Sequence, residues 1–506
     1  MSVGKTSFIL FCLRMARMVL AIFIVTLTAK YFGVSMQKDM WVLVTSFLTT
    51  IISAFWGPLN DIFRTKFVFI REKDGEDAAK DSVQALVLSI LISATFISLV
   101  IIICNKSIAD IVVRKSNSNA IHCFISLLFL LTPSIIITEI SNIEISILNA
   151  YNIFYIPEVI AIISGIIDIL AISILSPSIG IFALLIGYYF NIIAILLATN
   201  YFLQKKSISI ISNGLNIKWG YTKEYFIFAL PFFLPYIAIQ LNTFCEKYIA
   251  GLLGTGMIST LDYSRQFSTS LQGVINTVLT TVMVPLLAKQ FINNDTESYK
   301  RTIIQSTKIC FFIYTIAAIY LIGLTDPLSQ FFFFHGKMTY NALHIIVNLS
   351  RFYGIAFIGV LFYLLNGMAL MASGKEKHYA LIGVCNQLVV LVCNWFFVIN
   401  KGIYSFPIIF GVCHLISGLI MMKMLQIKDK KEYYALNIRG IANIGIFSTI
   451  YYLMYKYVFQ DKSSFITLCC YTLSLALTIP LLSRTMGYSL KDIIFSFVKK
   501  KKNEKI

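Results

Sequence analysis

The fold is decided by the stretch Leu230–Phe291, which reads LPFFLPYIAIQLNTFCEKYIAGLLGTGMISTLDYSRQFSTSLQGVINTVLTTVMVPLLAKQF. It predicts two apolar helices joined by a short glycine-rich turn, each long enough to cross a bilayer, which takes about 20 apolar residues. The first helix carries Glu246 and Lys247, and the second opens with Asp262 and Arg265. Charge at a bilayer centre costs about 2.5–3.5 kcal/mol per residue on insertion scales. These side chains are therefore expected to face a wet cavity or one another.

The composition is that of a polytopic membrane protein. Of the 506 residues, 58% are hydrophobic and 13% are charged, whereas soluble proteins carry about 25% charged residues. The net charge of +18 is explained more simply by lysines and arginines in cytoplasmic loops than by a nucleic-acid partner. The ten cysteines form no CxxC or Cys/His cluster, so we predict neither a disulfide framework nor a metal site.

The apolar runs predict an all-α polytopic membrane protein with about fourteen transmembrane helices, arranged as two six-helix halves plus two C-terminal helices. The second span is expected to break at Gly57-Pro58. The predicted segments are residues 1–204 (N-terminal half), 205–225 (cytoplasmic connector), 226–426 (second half) and 427–506 (two extra helices and a basic tail).

The loop charges predict the orientation of the chain. Loops rich in Lys and Arg alternate with poorer ones, which favours a multi-pass protein with both termini in the cytoplasm. The tail run Lys499–Lys502 is interpreted as an orientation anchor near anionic lipid. Because Arg14 and Arg17 interrupt the first apolar run, we interpret that run as a retained helix and not as a signal peptide.

Several motifs carry a family resemblance. The opening stretch contains Leu-Asn-x3-Glu-Lys-x2-Ala from Leu241, then Gly-x-Gly-x-x-Ser-x-Leu-x-Tyr from Gly254, and a closing Pro-Leu-Leu. Together these resemble the seventh and eighth helices of the MurJ/MviN lipid II flippases, of the multidrug/oligosaccharidyl-lipid/polysaccharide (MOP) exporter superfamily. Three further segments are similar to this family: 29–39, 132–157 and 334–339. The two spans after Leu425 also fit it, because the family carries two helices beyond a twelve-helix core.

Arg14 and Arg17 are the first candidate substrate-binding residues. They lie one helical turn apart and so share a face. Two like charges on one buried face are unfavourable unless an anion lies between them, and Arg binds phosphate oxygens with a bidentate fork. A lipid-linked diphosphate is such an anion. The alternative is that both side chains snorkel to the cytoplasmic interface.

The second half offers further candidates. Asp262 and Arg265 either form an ion pair within one helix, or Arg265 faces the cavity as a third diphosphate-binding cation. The resemblance implies that Glu246 occupies the position of an acid that helps some members bind a coupling cation, Na+ or H+. It also implies that Asn394 is a partner oxygen for that cation.

Other intramembrane polar residues have a structural alternative. Asp39 is interpreted as a cap of the second helix or as a gating contact. Arg351 either contributes to gating and cavity polarity or pairs inside the helix bundle. The same pairing is the alternative for Glu139, Glu144 and Asp168, one of which could instead partner a cavity arginine.

Departures from the family pattern bear on the substrate. The family's second arginine of helix 1, followed by Asp, is replaced by Ile24-Val25, and the arginine of its second helix is replaced within Ile51-Ile52. We therefore predict a flippase for an undecaprenyl-diphosphate-linked oligosaccharide, such as an O-antigen unit, with lipid II of peptidoglycan synthesis as the alternative. A cation-coupled drug exporter is a second alternative within the superfamily.

An enzyme is the alternative of another class. A polysaccharide polymerase or a lipid-dependent glycosyltransferase needs acidic loop chemistry, and the short outer loops lack paired carboxylates. No nucleotide-binding motif is present, so an ion gradient, the membrane potential or the substrate gradient is expected to drive transport. The predicted partners are the lipid-linked substrate, membrane lipids and polysaccharide-assembly proteins, with a monomer in the bacterial inner membrane. No nucleic acid and no other cofactor are expected.

Overall fold

A computed structural model describes residues 3–113, 118–151, 153–205, 218–425, 430–460, 462–485 and 487. Within these ranges the chain is helical and contains no strand, which confirms the predicted all-α class. The basic tail at Lys499–Lys502 and most of the predicted connector 205–225 lie outside the described residues.

The helices of the first half of the chain are bounded as follows. They are α1 Val3–Phe32, α2 Met36–Phe55, α3 Gly57–Asp74, α4 Glu76–Ile103, α5 Asn105–Val112, α6 Ser118–Leu131, α7 Ser134–Ala150, α8 Tyr155–Ile179, α9 Ala183–Lys205 and α10 Trp219–Leu252. The predicted break of the second span is confirmed, because α2 and α3 are separated at Trp56 and Pro58 lies in the first turn of α3. Proline fits there because its missing N–H would have no partner within the helix.

Ten further helices lie among the described residues between 257 and 485. They are α11 Met257–Val278, α12 Val284–Ile292, α13 Thr296–Ala318, α14 Thr325–Phe333, α15 Tyr340–Ala372, α16 Glu376–Cys393, α17 Ile399–Lys401, α18 Ser405–Met424, α19 Lys430–Met454 and α20 Ser464–Thr485. In the described part of the chain, four π-helical segments extend these helices, at Leu279–Met283, Ile319–Gly323, Asn394–Val398 and Tyr455–Phe459.

Ten membrane-spanning segments are identified by length and hydropathy among the described residues, or eleven if α6 and α7, bent by 41°, form one span. One of the ten, Tyr155–Lys205, contains both α8 and α9. A membrane favours such helices because each satisfies its own backbone hydrogen bonds where no water is present. The protein is thus a multi-pass membrane protein, and the count of fourteen stays a prediction.

The chain forms two compact units. The N-terminal unit comprises Met1–Ser259 and His335–Thr339, and the C-terminal unit comprises Thr260–Phe334 and Tyr340–Ile506. The predicted division into two six-helix halves plus two C-terminal helices stays a prediction.

The short segment His335–Thr339 belongs to the N-terminal unit because it packs on the turn between α1 and α2. The backbone N–H of Lys337 donates to the carbonyl of Lys30 (2.9 Å). Gly33 has a φ of 56°, and a Cβ there would lie 2.6 Å from the carbonyl oxygen of Lys337. Only glycine combines this left-handed backbone with so close an approach.

Helix α15 is the core helix of the C-terminal unit. In the 18-residue apolar stretch of this helix, 78% of the residues are buried. The corresponding share is 50% or less in the other spanning helices among the described residues. Small residues let α18 approach it: a Cβ on Gly359 would lie 2.1 Å from the carbonyl oxygen of Gly411, and one on Gly418 would meet the backbone of Phe362 at 2.7 Å. Such small-residue contacts replace the hydrophobic driving force that is missing between helices in lipid.

Candidate functional site

Arg14 and Arg17 on α1 share one carboxylate. Arg14 donates from Nε to Oε1 of Glu158 (2.9 Å), and Arg17 donates from Nη1 to Oε2 of the same residue (3.4 Å). The arginine side chains are 55% and 60% exposed, whereas Glu158 is 12% exposed. The shared face predicted from their spacing is confirmed, and the anion between them in this structure is a residue of the chain itself.

Glu158 was not among the candidates from the sequence. It lies in the first turn of α8, where the helix dipole favours a negative side chain. Four residues earlier in the chain, Phe154 lies against a third arginine, because the guanidinium carbon of Arg64 is 5.4 Å from the centre of its ring. The sequence signal that could have identified Glu158 is an acid directly after Pro157, near the start of an apolar run. Nothing in the local sequence indicated that Arg14 and Arg17 are its partners.

Asp39 caps a helix, although not its own. Its carboxylate accepts hydrogen bonds from the backbone N–H of Gly256 and from both the backbone N–H and the hydroxyl of Ser259 (2.7 Å each). These groups begin α11, whereas α2 is capped by Ser35, which accepts from the N–H of Lys38 (3.3 Å). The expectation that Asp39 caps the second helix is therefore wrong. A gating role stays a prediction.

A cavity of about 270 Å³ lies beside Asp39 in the N-terminal unit. It is lined by the start of α2, the end of α5 and the end of α10, with Tyr248 and Thr255 among its polar side chains. Glu246 and Lys247 lie in α10 directly before Tyr248. Both are buried, with 6% and 7% of their surface exposed.

Arg265 lies on α11 within the C-terminal unit. Its guanidinium carbon is 5.4 Å from the ring centre of Tyr353 and 5.2 Å from that of Phe410. Arginine is suited to such stacking because its guanidinium is planar and weakly hydrated. Arg265 and its neighbour Asp262 are half-buried. The prediction that Arg265 binds diphosphate stays untested.

A polar cluster lies next to Phe410. His414 contacts the Phe410 carbonyl through Nδ1 (2.7 Å) and the Asn386 amide through Nε2 (3.2 Å), and Ser417 donates to the Asn386 oxygen (3.0 Å). Asn394, the candidate cation ligand, is 2% exposed, and its Oδ1 has no hydrogen-bond partner among the described residues. The role of Asn394 as a cation ligand stays a prediction.

Arg351 pairs inside the C-terminal bundle, which is the structural alternative for this residue. Its guanidinium forms an ion pair with Asp326 of α14, donates to the carbonyl of Ile322 (3.2 Å), and lies 5.4 Å from the ring centre of Tyr452. Arg351 thereby connects α14 and α15 to α19, the first of the two predicted extra helices.

The intramembrane acids of α7 have neutral partners. Glu139 is fully buried and accepts from the side-chain amides of Asn60 (3.2 Å) and Asn142 (3.0 Å). Glu144 accepts from the hydroxyl of Thr199 and the amide of Asn200. The contacts described for these two acids include no arginine.

Two solved structures have a similar fold. One, described as a lipid II flippase MurJ in an inward closed conformation, gives a TM-score of 0.77 at 18% identity and covers 97% of this chain and 100% of its own. An inward-facing MATE family multidrug resistance transporter of the MOP superfamily gives 0.67 at 13% identity, with 86% and 95% covered. The chain thus has the fold that this flippase and this transporter share.

The family of the chain follows from the sequence comparisons. Residues 28–481 match the family model described as "Lipid II flippase MurJ", and the chain belongs to the MurJ family. The lipid II flippase MurJ of Burkholderia cenocepacia is 22% identical over 419 residues, covering 79% of each chain. The probable lipid II flippase MurJ of Borreliella burgdorferi is 22% identical over 460 residues, covering 86% of each. The resemblance of the motifs to the MurJ family of the MOP superfamily is therefore confirmed. Arg14 and Arg17 precede the residues that match the family model.

Proposed function

We propose that this protein moves lipid II, the undecaprenyl-diphosphate-linked precursor of peptidoglycan, from the inner to the outer leaflet of the bacterial cytoplasmic membrane. The match of residues 28–481 to the MurJ family carries this proposal. The relatives are named for lipid II, which favours it over the surface-polysaccharide unit that the sequence motifs alone suggested.

The chemistry of the first helix supports a diphosphate-linked substrate. Arg14 and Arg17 each use one N–H on Glu158, which leaves most of the five donors of each guanidinium for phosphate oxygens. The headgroup would be held by these cations while the isoprenoid tail stays in the bilayer. Alternating access would then release the headgroup on the opposite side.

A surface-polysaccharide precursor is the second candidate substrate. Ile24-Val25 and Ile51-Ile52 occupy positions where the family pattern has charged residues. Fewer cations around the headgroup favour a substrate whose headgroup makes fewer charged contacts. The diphosphate is common to both substrates, so Arg14 and Arg17 serve either of them.

Genetic complementation tests the substrate. The gene is expressed in a bacterium whose own lipid II flippase can be depleted, and growth is followed after depletion. Sustained growth supports lipid II transport. Lysis of the depleted cells, combined with restored surface polysaccharide in a strain lacking its polysaccharide flippase, would support the second candidate instead.

The driving force and orientation belong to the same proposal. A coupling cation, Na+ or H+, would use Glu246 or Asn394, and the termini would both lie in the cytoplasm because the Lys-rich loops lie on one side. Transport in proteoliposomes with an imposed Na+ gradient, pH gradient or membrane potential distinguishes the drivers. Labelling of single cysteines placed in successive loops tests the orientation.

A further inference from the structure

Glu158 holds the two arginines of α1 together without a substrate. Each of its carboxylate oxygens accepts from a different arginine, at 2.9 Å and 3.4 Å. Without an anion, Arg14 and Arg17 would repel each other across one helical turn. The carboxylate therefore occupies the position, relative to the two guanidinium groups, that a phosphate group of the substrate would take.

The exposed fractions of the Arg14, Arg17 and Glu158 side chains bear on whether a second anion can replace Glu158 on the two arginines. Glu158 is mostly covered, whereas the two arginines are more than half exposed. More than half of each arginine side chain is thus left uncovered by protein, which leaves room for an incoming anion. One carboxylate carries a single negative charge, and a diphosphate carries more charge and more acceptor oxygens for the planar forks of arginine.

We infer that Glu158 is a resident counter-anion that the diphosphate headgroup displaces from Arg14 and Arg17, and that its charge limits headgroup affinity and promotes release. The inference rests on the proposed function, since it needs a diphosphate-linked substrate. Glu158 is a positioning residue: it acts through the two arginines and aligns them while no headgroup is bound. Its negative charge repels the bound diphosphate, so the contact with Glu158 re-forms as the headgroup leaves.

This role differs from that of a purely structural ion pair between α1 and α8. If the ion pair served only to stabilise the fold, neutralising Glu158 would weaken headgroup binding or leave it unchanged. A competing anion has the opposite effect on binding, because its removal frees two cations for the headgroup. The direction of the change in affinity therefore separates the two roles.

The test compares the full-length wild type with Glu158→Gln in lipid nanodiscs, with undecaprenyl diphosphate as the probe. We expect the glutamine variant to bind the probe about tenfold more tightly, as the loss of one repulsive charge implies, and to flip it more slowly because release is delayed. Glu224→Gln is the matched control. It removes a carboxylate paired with Lys66 (2.8 Å) in the same unit and is expected to leave affinity unchanged.

A second variant covers the case in which the first does not fold. Glu158→Asp keeps the charge on a side chain that is too short to reach both arginines, and we expect an affinity between those of the wild type and the glutamine variant. Equal or weaker probe binding by the folded Glu158 variants, with binding by the wild type intact, overturns the inference alone. A wild type that binds no undecaprenyl diphosphate overturns the proposed function together with it.

Discussion

Asp39 on α2 and Ser259 on α11 are joined by two hydrogen bonds of 2.7 Å, one from the serine backbone N–H and one from its hydroxyl. Asp39 is 3% exposed, and Ser259 is fully buried. Residues 220 positions apart in the chain, both in the N-terminal unit, thus form a cap on the first turn of α11.

This cap gives the first prediction. Asp39→Ala leaves the N–H groups of Gly256 and Ser259 without their acceptor, and a buried unsatisfied donor costs about 1–3 kcal/mol. We expect a clear fall in the thermal unfolding midpoint of the purified protein, with a smaller fall for Asp39→Asn. Ser35→Ala, which removes the cap of α2 itself, should cost about 1 kcal/mol. An Asp39→Ala variant as stable as the wild type would contradict the capping role.

The second prediction concerns the arginines of α1. Arg14→Ala and Arg17→Ala should each lower the rate of lipid flipping at least about tenfold, because a hydrogen bond to a charged group contributes about 1.5–3 kcal/mol. Arg→Lys at either position should retain part of the activity, since the charge stays and the fork is lost.

Lys300→Ala is a suitable control for those variants. It removes a cation of the C-terminal unit that pairs with Glu432 at 3.3 Å, and its flipping rate should match the wild type. Wild-type rates in both α1 variants would exclude the headgroup role for these arginines.

The contact between α15 and α18 gives the third prediction. A Cβ on Gly359 would lie 2.1 Å from the backbone oxygen of Gly411, so Gly359→Ala must push the helices apart. We expect destabilisation of about 1–3 kcal/mol, the usual cost of overpacking. Gly445→Ala on α19 is matched in chemistry, but its Cβ meets nothing within 4 Å. Alanine there should be neutral or slightly stabilising, because it favours the helix.

The fourth prediction concerns the pair Asp326–Arg351. Because this ion pair joins α14 to α15, Asp326→Asn and Arg351→Gln should destabilise the protein non-additively. A double-mutant cycle should give a coupling of about 1 kcal/mol, in the range found for contacting residues. Strict additivity in thermal unfolding would mean that the pair contributes nothing to stability.

The fifth prediction is a pH dependence at the start of α13. The hydroxyl and the backbone N–H of Ser298 donate to Asp295 and lower the pKa of this carboxyl from its ordinary value. A carboxyl with a lowered pKa stabilises the fold above the unfolded-state pKa of about 4 and loses this contribution as the pH falls through the folded value. The stability difference between wild type and Asp295→Asn should therefore be larger at pH 7 than in the acid range. A difference independent of pH would contradict the assignment.

Local sequence signals were sufficient for the helices and their breaks. Long apolar runs form helices because the membrane leaves no other partner for the backbone, and the break near Gly57-Pro58 follows from the missing N–H of proline. The turn between α10 and α11 was likewise expected from its glycines, and two of them, Gly254 and Gly256, have positive φ angles. The motif resemblance was sufficient for the family.

The partners of the charged side chains were decided by the tertiary structure alone. The spacing of Arg14 and Arg17 placed them on one face, but packing of α1 against α8 brought in Glu158, 144 and 141 residues away. Likewise, Asp39 meets Ser259, and Arg265 lies over Tyr353 and Phe410. A helix specifies its own faces through its 3.6-residue period, but which face of another helix lies opposite depends on long-range packing that no local pattern encodes.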